Sequence, residues 1–186
     1  MENVKIVAVV GMSGSGKSVV VEHLVEKGCP KVYFGGMILN EMKKRGIERT
    51  AESEKEFREM IRETEGKDWV VRQVISNVEN LISAGQKRIV LDGLYSWTEY
   101  KALKHAFPGA ISVLAVVVDK ELRHKRVGRR PERPFNIEEI RERDRSEIEN
   151  LEKGGPIAMA DYYVLNNGGV AELHSAVDDV LKKIDF

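Results

Sequence analysis

The sequence predicts an α/β fold built on a parallel sheet, and three observations carry that expectation. Short β-rich apolar runs alternate with helical patterns along the chain. The first and fourth runs are continuous in Val, Ile, Leu and Ala apart from single Lys or Ser interruptions, as strands covered by helices on both faces require. A glycine-rich G-x-x-x-x-G-K-S segment joins the first run to the first helical pattern.

The opening strand is expected over residues 4–10, followed by Gly11-Met12-Ser13-Gly14-Ser15-Gly16-Lys17-Ser18. Glycines at 11, 14 and 16 permit torsions and close approach that a Cβ would obstruct, so successive N–H groups turn inward to hold phosphate oxygens. The following helix adds its N-terminal partial charge. Gly11 through Val19 are therefore the expected nucleotide-binding residues, with Lys17 reaching the β- and γ-phosphates and the Ser18 hydroxyl ligating Mg2+.

The first helix is expected over residues 18–27, with Val21, Leu24 and Val25 at helical spacing and Gly28 at its C-terminal cap. A short strand follows at 32–34. The strongest amphipathic helix covers 68–84, from Val70 and Val71 to Leu81 and Ile82, and Gly85 closes it. The third strand, at 88–91, delivers Asp92-Gly93 at its C-terminal end. Parallel strands present ligands at that edge, beside the phosphate loop, so Asp92 is the expected second metal group. The fourth and fifth strands are expected at 111–118 and 162–165, with the first and fourth at the centre of the sheet.

Two intervals exceed an ordinary crossover. Residues 35–66 and 123–155 are charged and helical, and both read as insertions on one core spanning 1–186. Within the second, residues 121–134 carry six basic side chains (Arg123, Lys125, Arg126, Arg129, Arg130, Arg133) against Glu121 and Glu132. If its start is helical, Arg123, Arg126 and Arg130 share a face. Most of these arginines are expected on a solvated face, with Arg126, Arg130 and Arg143 assigned to clamp a transferred phosphoryl group. Asn136 is placed to cap a helix ahead of Glu138 and Glu139.

Thirty basic residues balance thirty acidic ones, so no global field draws the chain toward nucleic acid or an anionic membrane. The basic run also lacks the interleaved aromatics of a stacking platform. Hydrophobic and charged contents of 42% and 32% fit a globular chain and exclude collagen-like and low-complexity classes. No run approaches the ~20 apolar residues of a membrane span. The opening run is too short and poorly flanked for a signal peptide. Cys29 stands alone, which excludes an internal disulfide, so a cytoplasmic location is expected. Glutamine occurs only at Gln73 and Gln86 while Glu, Lys and Arg abound, a bias reported for proteins from hot environments. His23, His105, His124 and His174 fall on separate helical patterns without ligand spacing. Tyr95, Trp97 and Tyr100 offer either an aromatic wall or core packing, and Met37 and Met42 either a plastic pocket or packing.

With these parts in place the chain resembles the nucleoside monophosphate kinase superfamily, which holds adenylate kinases and dephospho-coenzyme A kinases. Leu91-Asp92-Gly93 is similar to its D-G motif, and Arg126-Val127-Gly128-Arg129-Arg130 to the start of an adenylate kinase lid. Gly35-Gly36-Met37-Ile38-Leu39 sits at its G-D-x-L-R acceptor motif. A nearer resemblance is to an archaeal adenylate-kinase-related, dephospho-coenzyme-A-kinase-like group. Phe57-Arg58-Glu59 with Gly66-Lys67-Asp68, Arg143-Asp144-Arg145-Ser146-Glu147, and Ala160-Asp161-Tyr162 through Asn166 look like its motifs. The resemblance implies a three-layer P-loop kinase fold, a five-stranded parallel sheet with helical acceptor-binding and lid insertions, and a loop at Asn166-Asn167-Gly168-Gly169 near adenine. It implies an ATP- and Mg2+-dependent kinase acting on a nucleoside monophosphate-like acceptor, with Gly36, Met37, Arg58, Asp92 and Tyr95 at the acceptor.

The chain departs from that pattern at two places. Asn40 stands where the acceptor motif ends in arginine, and Leu94, Tyr95 and Ser96 follow Asp92-Gly93 where another arginine is usual. The acceptor phosphate then falls to Arg58, Arg62 or Arg72, or the acceptor is dephospho-coenzyme A, a hydroxyl. A nucleotide-dependent switch is the remaining alternative; its GTPase version would carry an N-K-x-D motif, which is absent.

Overall fold

The computed structural model describes residues 3–131 and 134–186. Arg133, counted in the basic run above, lies outside the described residues, as does Glu132. The chain runs β1 (Lys5–Val10), α1 (Lys17–Glu26), β2 (Lys31–Tyr33), α2 (Phe34–Lys44), α3 (Ala51–Thr64), α4 (Trp69–Ser83) and β3 (Arg88–Asp92). It continues with α5 (Trp97–Ala106), β4 (Ile111–Val117), α6 (Lys120–Gly128), α7 (Ile137–Glu149), α8 (Gly154–Ala158), β5 (Tyr162–Leu165) and α9 (Val170–Lys183).

The five strands form one all-parallel sheet in the order β2-β3-β1-β4-β5. β1 is central, with Val9 opposite Asp92 on one side and Val10 opposite Ala115 on the other. From β1 the chain crosses to the edge at β2, returns to β3 beside β1, and then passes to β4 and β5 on the other side, so a crevice opens at the C-terminal end of β1, where ligands bind in open parallel sheets. Side chains alternate across the sheet with period two. Ile6, Ala8 and Val10 face one layer with Val71, Val74 and Val78 of α4 and Leu103 of α5. Val7 and Val9 face the other, with Val20, Val21 and Leu24 of α1 and Leu173 and Val177 of α9. Three layers result, as the resemblance implied.

A third, smaller cluster sits under the first insertion, where Ile38 and Met42 of α2 meet Phe57 and Ile61 of α3 and Trp69 of α4. Met42 therefore packs, and α3 begins on a capping box between Thr50 and Ser53. Gly28 and Gly85 take φ of 88° and 90°, closing α1 and α4 in the left-handed conformation expected of them. Val25, grouped with the buried face of α1, stays 40% exposed.

Some boundaries move. Phe34 leaves the second strand and opens α2, so Gly35 and Gly36 lie in the first turn of a helix. β3 extends through Asp92. The basic run is helical only to Gly128, because Pro131 cannot continue a helix and restricts the residue before it. Arg130 therefore does not share a helical face with Arg123 and Arg126. Asn136 caps α7 as expected, accepting from the N–H groups of Glu138 and Glu139. The histidines are not all apart: α1 and α9 lie side by side, stacking His23 on His174 with ring centroids 3.9 Å apart. His23 bonds Asp178 at 2.8 Å, and Nε2 of His174 is buried without a hydrogen bond among the described residues. No helix among the described residues is long and apolar enough to cross a membrane.

Candidate functional site

The loop from β1 to α1 keeps the backbone that a phosphate cradle needs. Gly11, Gly14 and Gly16 have φ of 155°, 83° and 96°. A Cβ on Gly11 would lie 2.5 Å from the Val116 carbonyl, and one on Gly14 would lie 2.5 Å from the Val127 side chain. Gly16 leaves room for the Asn166 amide, whose Nδ2 donates to the Ser15 carbonyl at 2.8 Å. Asn166 thus braces the loop from β5. Ser15 Oγ is buried inside the loop with no hydrogen-bond partner among the described residues. Lys17 Nζ donates to Met12 O at 2.9 Å, folding back over its own loop. Desolvation, reinforced by Lys153, pulls Lys17 down to about 8.

Asp92 stands at the same sheet edge, and burial pushes its carboxyl above the usual range against the opposing pull of Lys31 and Lys17. Ser18, in the first turn of α1, is exposed. The glycine cradle, Lys17, Ser18 and Asp92 fit a nucleoside triphosphate with Mg2+, which commonly takes only one or two protein ligands beside phosphates and water. Among the described residues, no group of three or more His, Cys, Asp or Glu side chains forms a metal site.

A cleft of about 430 Å³ opens beside the loop. Tyr33, Phe34 and Tyr95 line it from the sheet side, Arg58, Arg62 and Lys67 from the first insertion, and Arg143, Glu147 and Lys153 from the second. Tyr95 meets Phe34 edge to face at 6.3 Å, and burial holds its hydroxyl protonated well above the ordinary range. Arg58 is ion-paired with Glu54. Gly35 and Ile38 line this cleft, whereas Met37 lines a separate hollow with Asn40 and Trp69. Trp97 and Tyr100 stack on each other with centroids 5.0 Å apart.

The arginines divide their duties. Arg126 donates to the carbonyls of Asn166 and Gly168, at 2.8 and 3.3 Å, and so holds the loop after β5. Arg143 lies at the cleft, 5.6 Å from the Phe135 ring centroid and 3.5 Å from Glu147. Arg130 stands close enough to Arg143 and Glu147 for both to act on it electrostatically, and burial lowers its proton affinity. Arg123 is 8% exposed and held by both oxygens of Asp144 at 2.5 Å. It also donates to Ser13 O at 3.1 Å, tying α6 and α7 to the phosphate loop.

Sequence reasoning missed Glu147 and Lys153 as site residues. Glu147 accepts from Ser13 N–H at 3.0 Å and pairs with Lys153 at 3.1 Å. Only Glu147 lay within a quoted motif; Lys153 had no periodicity or motif to mark it.

A profile of AAA domains, AAA_18, matches residues 7–150. A UPF0200 protein of Thermococcus kodakarensis is 35% identical over 187 residues, covering 96% of this chain and all of the relative. Among solved structures, a sugar kinase from Janibacter sp. HTCC2649 has a TM-score of 0.59 at 17% identity, covering 98% of this chain and 95% of that one. A shikimate kinase from Acinetobacter baumannii, solved with shikimate, has a TM-score of 0.57 at 21% identity, covering 98% and 94%. At these identities the structural likeness is one of fold. A phosphate cradle at the switch point of a five-stranded parallel sheet, with sequence kinship over almost the whole length, makes this chain an AAA_18 domain of the UPF0200 family, built on the fold of the P-loop kinase-like superfamily.

Proposed function

We propose that the chain is an ATP- and Mg2+-dependent phosphotransferase acting on a small, anionic, nucleoside monophosphate-like acceptor. The observation that carries this reading is the meeting of cradle and cleft: Glu147 lines the cleft while its carboxylate touches the phosphate loop at Ser13. A donor on the loop and an acceptor in the cleft would then face each other across one residue. The γ-phosphoryl would leave the β-phosphate oxygen and bond to an acceptor oxygen, releasing ADP. Bound Mg2+ would neutralise charge on the donor phosphates.

The protein's share of this chemistry is placement and charge. Loop amides and Lys17 hold the donor, Ser18 and Asp92 receive the metal, and Arg130 and Arg143 face the transferred group. Arg126 acts at one remove, by holding the loop of Asn166 and Gly168 beside the base. Arg58, Arg62 and Lys67 supply the positive rim for the acceptor, with Tyr95 and Gly35 lining the cleft, Gly35 in place of its neighbour Gly36. The second and first insertions serve as lid and acceptor-binding segments. The catalytic setting implied is cytoplasmic.

A second reading, a hydroxyl acceptor such as dephospho-coenzyme A, is favoured by the absence of arginine at Asn40 and after Asp92-Gly93. Asp92 would then take the hydroxyl proton, a role its raised pKa suits. Structural neighbours described as sugar and shikimate kinases support small acceptors. Incubation with ATP, Mg2+ and a panel of nucleoside and deoxynucleoside monophosphates plus dephospho-coenzyme A, followed by ADP assay, tests both. ADP with a monophosphate alone supports the first reading, and ADP with dephospho-coenzyme A alone the second. Acceptor-independent hydrolysis, or binding without turnover, favours a nucleotide-dependent switch.

A further inference from the structure

Glu147 belongs to α7, yet its side chain is only 5% exposed. Its Oε2 accepts two charge-relevant hydrogen bonds, from the backbone N–H of Ser13 at 3.0 Å and from Lys153 Nζ at 3.1 Å. Its Oε1 lies 3.5 Å from Nε of Arg143. A loop amide, an ammonium and a guanidinium converging on one anion is the donor set that phosphoryl oxygens select. One carboxylate oxygen therefore connects the phosphate loop, the second insertion and the cleft.

Lys153 is built into this point. Its side chain is 3% exposed, and its ammonium lies 5.0 Å from the Tyr95 ring centroid. Glu152 takes a left-handed φ of 54°, unusual for a residue with a Cβ, at the turn immediately before Lys153. Lys17, Lys153, Arg130 and Arg143 interact electrostatically with one another and with the carboxylates of Glu147, Asp92 and Glu99. An anion bound here would meet Lys153 buried and Arg143 half exposed on either side of it.

Building on the donor-site reading above, we propose that the position of the Glu147 carboxylate is the subsite for the terminal phosphoryl group of the donor, and that Glu147 is its displaceable stand-in. Ser13 N–H, Lys153 and Arg143 then bind the phosphoryl oxygens. A phosphoryl group brings more charge and a third oxygen to the same donors, so it displaces the carboxylate. Without nucleotide, Glu147 neutralises Lys153 and keeps the second insertion tied to the loop. With nucleotide, Lys153 becomes a group that touches the transferred phosphoryl.

The test uses the full chain, titrated calorimetrically with adenylyl imidodiphosphate and Mg2+, and separately with ADP and Mg2+. Glu147→Gln removes the competing charge and is expected to tighten adenylyl imidodiphosphate about tenfold, while Lys153→Met weakens it about tenfold. ADP affinity shifts less in both. Both variants lose a buried partner and melt at lower temperature, so a merely structural pair moves both affinities down together. Opposite signs support the subsite; equal signs, or both affinities within about twofold of wild type, overturn it. If Lys153→Met does not fold, Lys153→Arg retains affinity near wild type and the sign of Glu147→Gln decides. Wild-type binding without the sign difference overturns this inference alone, whereas no wild-type binding overturns the donor site as well. Normal signs without phosphate transfer to any acceptor would sink the phosphotransferase reading and leave the subsite standing.

Discussion

Lys17 sits where desolvation and the neighbouring Lys153 remove its proton readily, although the ligand it is suited to hold is an anion. Its charge therefore becomes conditional on pH. Below about pH 8 the free protein carries Lys17 as a cation, and above that value the cation is lost well short of the usual lysine range. A bound phosphate favours the protonated form, so triphosphate affinity is expected to hold steady up to pH 8 and then fall, approaching tenfold per unit. Titration with adenylyl imidodiphosphate at pH 7, 8 and 9, roughly spanning that titration, measures it, and an affinity flat to pH 9 would contradict the assignment. For folding the sign is opposite. The depressed folded-state value makes protonated Lys17 unfavourable below about pH 8, and stability recovers as pH rises toward the ordinary lysine value of 10.5. Lys17→Ala is expected to abolish phosphate transfer while leaving the melting transition intact, as judged by ADP release and circular dichroism.

Arg123 and Asp144 link the helices of the second insertion, and this pair shows how an element is fixed by a contact that its own sequence does not announce. Arg123 stands three residues before Arg126 on α6, but only Arg123 turns inward, to Asp144 on α7 and to the Ser13 carbonyl. Read along the chain, both were members of a basic run. In space one is a buried anchor at 8% exposure, and its partner carboxylate is 16% exposed. Asp144 is held below the usual carboxylate range: burial opposes this, but hydrogen bonds from Arg123 and His124 prevail. Asp144→Ala leaves a buried guanidinium unpaired and is expected to destabilise the fold by about 3 kcal/mol, read from the urea midpoint. It should also weaken triphosphate binding, since Arg123 carries the phosphate loop. The cap at Asn136 was legible because capping is local; the anchor was not, because its partners are 21 and 110 residues away.

Across the whole molecule the three apolar clusters divide stability unevenly. Leu114 lies in the continuous layer under α1 and α9, whereas Ile61 lies in the satellite cluster of α2, α3 and α4. Leu114→Ala should cost about 3 kcal/mol of global stability, as large-to-small substitutions in well-packed cores do. Ile61→Ala should act locally, so that hydrogen exchange quickens in α2 and α3 before the sheet is affected. Uniform acceleration across the sheet in the second variant would show that the first insertion is part of the same cooperative unit. A separable first insertion would let the cleft widen for an acceptor while the phosphate loop stays fixed on β1.

The sequence by itself determined the parallel α/β sheet, its central strands, the glycine cradle and the acidic end of β3, because each is written within a few neighbouring residues as a period, a cap or a turn. Only the tertiary structure decided which charges serve the site. It sent Arg126 to backbone carbonyls and Arg123 into an ion pair, separated Met37 from the cleft, and brought Glu147 and Lys153 onto Ser13. Charged side chains have no periodic signature, and their roles follow from the burial and the partners that packing assigns them.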